Sequence, residues 1–130
     1  MMKSQAFHPS EAELEILEVL WRIEPASVRE IHEILSQSKQ VGYTTTLKQI
    51  QRMLDKGMVS RTGSGKSHQY SAVAKKSEVR RTLFQKFVDS TFEGSAMDLV
   101  MHALGQKKAS PEELEKLMQF LEKQKSKDHE

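Results

Sequence analysis

Two stretches of the chain hold residues whose types and spacing could do chemistry. The first, Gly63-Ser64-Gly65-Lys66-Ser67, matches the end of a phosphate-binding P-loop. The full pattern needs a further glycine ahead of Gly65, at the position held by Ser60, and must then open a helix whose first amides face the phosphate. The residues beyond Ser67 instead alternate Tyr70 and Ala72 with polar Gln69 and Ser71, which is a strand pattern. Residues 58–62 can form a second short strand, so Gly63 to Lys66 is expected to be a hairpin loop. The second stretch holds Thr45, Gln49 and Arg52 at successive helical spacings of four and three, with Thr44, Lys48 and Lys56 flanking them. Arginine and glutamine can bond bidentately to guanine and adenine edges, and threonine can contact a phosphate or a thymine methyl.

Charge is concentrated around the same segment. Residues 1–38 carry three Lys/Arg against seven Asp/Glu, a net of −4. Residues 39–66 carry Lys39, Lys48, Arg52, Lys56, Arg61 and Lys66 against Asp55 alone, a net of +5, and the remainder carries +1. A local basic footprint of this kind is expected where a polyanion docks, and a solvated basic surface would show it equally.

Other chemistries find little support. With no cysteine there are no disulfides, no thiol catalysis and no thiolate metal site. The histidines His8, His32, His68, His102 and His129 never recur at the spacing of a helical metal pair. The glutamates cluster at helix starts, where capping and the helix dipole account for them, so no catalytic residue is assigned. His68 on the hairpin is expected to face solvent or phosphate. Met97, Met101 and Met118 could offer thioethers to copper, but at helical spacing they read as core or interface filler. No metal or cofactor is expected. The sequence has no apolar run able to span a bilayer, and its first ten residues lack the blocks of a signal peptide, so a cytoplasmic location without membrane attachment is expected.

The elements that would position the basic segment can be read from punctuation and period. Ser10-Glu-Ala-Glu13 and Ser27-Val-Arg-Glu30 are capping boxes that open two helices, carrying Leu14, Leu17, Leu20 and Trp21, then Val28, Ile31, Ile34 and Leu35. A third helix begins at the threonines 44–46, turns Leu47, Ile50, Met53 and Leu54 inward, and stops at Gly57. Three helices and then a hairpin is the order of a winged helix-turn-helix, whose third helix can enter a DNA major groove beside the wing. Beyond it, Val79 to Phe92 make an apolar helical stripe broken at Gly94-Ser95. A second helix comes next, and Ser110-Pro-Glu-Glu113 opens a last one. The fold class expected is mainly α with a small β-hairpin wing: a winged helix-turn-helix over 8–74, a three-helix dimerisation region over 75–124 and a charged tail over 125–130. Phe84, Phe87, Val88, Val100, Leu104, Leu117 and Leu121 are the residues expected at the dimer interface, because such proteins usually read two half-sites as symmetric dimers. Burial of these residues within one chain is the alternative.

The stretches "EAELEILEVLW", "ASVREIHEIL", "GYTTTLKQIQRMLDKGMVSR" and "GKSHQYSAV", with "TFEGSAMDLVMHAL" and "SPEELEKLMQFLEK" further on, together resemble the penicillinase repressors, or BlaI/MecI/CopY family. The resemblance covers nearly all of residues 10–123. It implies a homodimeric repressor that binds a palindromic double-stranded DNA operator through the third helix and the wing, with a membrane sensor protease as a partner and inactivation by cleavage in the C-terminal region. At the place of the Asn-Phe bond of the β-lactam repressors stands His102-Ala103. The cysteine motifs of the copper-responsive branch are absent. A function of another class stays open on the residues alone: a winged-helix protein-interaction module whose basic face meets an acidic partner.

Overall fold

The computed structural model describes residues 7–65, 68–106 and 109–128. The chain runs α1 (Glu11–Ile23), α2 (Val28–Leu35), α3 (Tyr43–Asp55), β1 (Val59–Thr62), β2 (Gln69–Ala72), α4 (Lys76–Thr91), α5 (Ala96–Gln106) and α6 (Pro111–Asp128). It divides into two compact units, Met1–Lys86 and Phe87–Glu130.

The first unit is a winged helix, and its local signals are those of the sequence. Ser10 and Ser27 each accept a hydrogen bond from the backbone N–H of the glutamate three residues on, and that glutamate returns its carboxylate to the serine N–H, at 2.8 Å for Glu13 and 2.9 Å for Glu30. Two of each helix's orphan donors are thereby satisfied. The third helix differs from expectation at its start: it begins at Tyr43, one residue before the threonines, with Gly42 as an N-cap that offers no side-chain acceptor. Its end takes the expected course. Gly57 has φ 80°, the Gly57 N–H reaches Leu54 O and the Met58 N–H reaches Met53 O, a Schellman closure that a left-handed residue permits. The chain then turns straight into β1.

β1 and β2 pair antiparallel, Val59 opposite Ala72 and Thr62 opposite Gln69. Gly63 and Gly65, in the loop that joins the two paired strands, both have positive φ, so this glycine run belongs to a wing and not to a nucleotide loop that opens a helix. The hairpin is anchored on its other side as well. Ala26, in the α1–α2 link, exchanges two backbone hydrogen bonds with Tyr70, at 3.0 and 2.7 Å. Trp21 Nε1 donates to Ala74 O, and the Glu24 carboxylate accepts the Ala72 N–H. Inside these ties Leu17, Leu20, Ile31, Ile50 and Met53 have essentially no exposed surface. Burying side chains of this kind stabilises by about 1.5–3 kcal/mol each.

The winged-helix unit extends past residue 74, to Lys86. Val79, in the first half of α4, is buried in the same core, and Leu83 packs against it, so this half of the helix belongs to the winged helix. The second unit has the remainder of α4, α5 and α6. Ser95 caps α5 through the Asp98 N–H, and the third capping box, Ser110 with Glu113, closes in both directions at α6. Neither α5 nor α6 buries a hydrophobic residue within the single chain. Among the described residues no helix is long and apolar enough to cross a membrane.

Candidate nucleic-acid interface

At 100° per residue, α3 divides into two faces. Thr46, Ile50 and Met53 are buried, with Leu47 and Leu54 half-buried beside them. On the other side Thr44, Thr45, Lys48, Gln51, Arg52, Asp55 and Lys56 are exposed. Lys48 and Arg52 lie one turn apart in the middle of this arc, with Thr44 a turn earlier. Gln49 sits at the margin, half-buried, where it borders a shallow cleft shared with Ile16, Leu35, Val41 and Thr45. The most outward line is therefore Thr44, Lys48, Arg52, with Thr45 and Gln49 toward one edge.

The rotation of α3 is fixed by a small polar network. His32 of α2 places Nδ1 3.2 Å from the buried Thr46 hydroxyl and Nε2 3.2 Å from the Ser36 hydroxyl, and its ring meets the Tyr43 ring edge-on at 5.6 Å. Either tautomer can be accommodated, because each hydroxyl can donate or accept. With Thr46 held to α2, the residues on the opposite side of α3 have no freedom but to face outward.

Lys56 is in a different situation from the other basic residues. Its ammonium lies 2.7 Å from Glu13 Oε2, a carboxylate whose side chain is only 3% exposed. Burial pushes the Glu13 carboxyl up. Hydrogen bonds from Lys56 and Ser10, with the Lys56 charge, outweigh this and hold the group below its ordinary value of 4.5. One of the three ammonium donors thus serves an internal tie between the start of α1 and the end of α3. The cation of Lys39 is likewise paired, with Glu15 at 2.8 Å. Arg61 is exposed on β1, in register with Tyr70. Lys66 lies outside the described residues.

Sequence reasoning missed a groove beside this face. It has a volume of about 410 Å³ and lies between the start of α2, the start of α3 and the wing, lined by Ser27, Val28, Arg29, Tyr43, Leu47, Gly65, His68 and Tyr70. Arg29 belongs to α2, Tyr43 to α3 and His68 to the hairpin, so no spacing rule within one helix could have joined them.

In the second unit and the end of α4 that leads into it, Phe84, Phe87, Val100, Leu104 and Leu121 are exposed, as are Met97, Met101, Leu114, Met118 and Phe120; Leu117 is half-buried. Of the seven residues expected at a dimer interface, five are exposed, Leu117 is half-buried and Val88 is buried. It is 2% exposed within one chain, so its side chain is already covered without a partner. His102 and Ala103 are exposed within α5.

Comparison with known proteins decides the family. The sequence model described as Penicillinase repressor matches residues 9–123. The chain belongs to the penicillinase repressor family. Among its relatives in this family is the methicillin resistance regulatory protein MecI of Staphylococcus aureus, 25% identical over 122 residues that cover 94% of this chain and 99% of MecI. The penicillinase repressor of Bacillus licheniformis is 25% identical over 117 residues, covering 90% and 91%. The transcriptional regulator BlaI of Mycobacterium tuberculosis is 34% identical over 65 residues, about half of each chain. In fold, this family member is similar to the solution structure of the DNA-binding domain of the repressor BlaI, with TM-score 0.51 and 22% identity over 58% of this chain and 93% of that one. A MarR family protein from Bacillus stearothermophilus superimposes with TM-score 0.55 and 15% identity over 95% of this chain and 78% of that one. Both likenesses support the winged-helix architecture.

Proposed function

We propose that this chain is a sequence-specific DNA-binding transcriptional repressor that works in the cytoplasm as a homodimer on a palindromic operator. The observation that carries this reading is the outward line Thr44, Lys48, Arg52 of α3, fixed by a fully buried core and by the His32–Thr46 bond, in a chain of the penicillinase repressor family. In this arrangement α3 enters the major groove, Arg52 and Gln49 read base edges, Thr44, Thr45 and Lys48 add base or phosphate contacts, and Arg61 and Lys66 bring the wing to the backbone. Lys56 lies at the end of the same face and contributes less, since Glu13 already balances it.

The dimer reading rests on the second unit. Ten of the twelve exposed large hydrophobic side chains among the described residues lie at Phe84 or beyond it. A monomer in water rarely leaves so much apolar surface open. A second copy is the occupant these helices suit, because a two-fold dimer would bring two α3 helices to two half-sites. Repression is then a matter of occupancy, with no bond made or broken by the protein.

Fluorescence anisotropy with the duplex upstream of the gene, set against a scrambled duplex at several salt concentrations, tests the proposal. Preferential binding upstream with a log–log salt slope near −0.9 per neutralised phosphate supports it. Equal affinity for both duplexes removes sequence specificity, and no affinity for either hands the basic face to a protein partner.

A further inference from the structure

The groove of about 410 Å³ between α2, α3 and the wing is not accounted for by the recognition face of α3. Three elements bring hydrogen-bond donors to it: Arg29 and Ser27 from the start of α2, Tyr43 from the start of α3, and His68 from the loop end of the wing, directly before β2. No carboxylate lines it, although residues 1–38 carry a net of −4. Glu30, on the same turn as Arg29, has its carboxylate bonded to the Ser27 N–H at 2.9 Å. The Tyr43 ring is held edge-on by His32, and Arg29 is exposed, outside the ion pairs formed among the described residues. A set of donors of mixed type, one permanently charged and forked, matches the oxygens of a phosphate.

We infer that this groove is a phosphate site, and that its occupant is a backbone phosphodiester of the operator flanking the major groove read by α3. The inference deepens the DNA-binding reading and rests on it. Arg29 grips the phosphate from the α2 side, His68 and the wing close on it from the other, and Tyr43 donates from between them. The contact carries no base information. It sets how far α3 reaches into the groove, and it makes Arg29 a clamp that is separate from the specificity residues Arg52 and Gln49.

Ethylation interference on the upstream duplex, read for the full chain and for Arg29→Gln, tests the inference. Arg29 is exposed, so its replacement should leave the thermal melt unchanged. For the unsubstituted protein, one phosphate in each half-site outside the bases protected by α3 should block binding when ethylated, and Arg29→Gln should lose interference at that phosphate alone. Affinity should fall about tenfold on the specific and scrambled duplexes alike, and the salt slope should shrink by about 1 for each half-site. His68→Asn should weaken interference at the same phosphate. An identical ethylation pattern and slope in the two proteins, with specific binding intact, overturns the inference and leaves the repressor reading standing. No DNA binding by the unsubstituted chain overturns both. A titration of inorganic phosphate without DNA separates the remaining source. Saturable shifts at the Arg29, Tyr43 and His68 resonances, with DNA affinity unmoved by Arg29→Gln, would assign the groove to a free phosphate ligand and so overturn the operator assignment.

Discussion

The two units of this chain meet the same physical demand in opposite ways. In the winged helix the apolar residues of α1, α2, α3, the hairpin and the first half of α4 converge on one core, and Leu17, Leu20, Ile31, Ile50 and Met53 lose all contact with water. In the second unit α5 and α6 also carry apolar residues at helical spacing, yet Met97, Met101, Met118 and Phe120 are each more than half exposed. Amphipathic helices owe most of their stability to the face they bury. The difference teaches that one unit closes its core within a single chain, while the other leaves an apolar face exposed there, the face that the proposed dimer would cover.

The comparison breaks most visibly if a charge is placed on the open face. Phe87→Asp is expected to give monomers and to lower operator affinity on the order of a hundredfold or more, since linked binding to two half-sites gains factors of that size. A sedimentation run that shows the dimer intact would contradict the assignment of this face. Next in size, Ile50→Ala inside the closed core should cost about 2–5 kcal/mol of stability, read by denaturant unfolding, because a cavity remains where the side chain was. The equivalent truncation at Met101, exposed in the single chain, should leave the winged helix's own stability unchanged. Arg52→Ala should cost about 1–3 kcal/mol against the preferred duplex and flatten the preference at one base pair, measured by anisotropy. A uniform loss on all sequences would make Arg52 a phosphate contact.

The smallest effect sharpens the account of the basic face. Lys56→Met should destabilise the fold by about 1 kcal/mol, a modest figure because the ammonium is largely solvated, and should hardly change DNA affinity. The Glu13 carboxyl is held below its ordinary 4.5 in the folded chain. Its contribution is therefore fully present above that pH and is lost as pH falls through the lowered value. Glu13→Gln should accordingly show a shallower fall in stability on acidification below about pH 4.5 than the unsubstituted chain, followed by circular dichroism.

Much of the fold is legible in the sequence because its signals are local. Each of the three capping boxes forms in the structure, and Gly57 ends α3 where a left-handed residue is expected. The hairpin at Gly63 to Gly65 is legible because a strand pattern on both sides outweighs the likeness to a P-loop. The features that cannot be read depend on pairs far apart in the chain. The Lys56–Glu13 bond links residues 43 positions apart and changes Lys56 from a free cation into a structural one. The Ala26–Tyr70 bridge joins a link to a strand, and no periodicity announces it. The sequence suggests an end of the first unit at residue 74 because the hairpin closes there, whereas Val79 and Leu83 look from sequence alone like the rest of the α4 stripe. On α3 the period identifies the exposed side but centres it on Thr45, Gln49 and Arg52, whereas Thr44, Lys48 and Arg52 face most outward; the half-burial of Gln49 depends on α1 and on the loop after α2.

The division of labour between the two units is tested most directly by sedimentation of the full chain, 14.9 kDa per copy, with a labelled upstream duplex. The account predicts that two copies arrive on each duplex together, with no stable complex of one copy, and that the free protein sediments as a dimer. A single copy bound at full affinity, beside a free protein that sediments at 14.9 kDa, would contradict it.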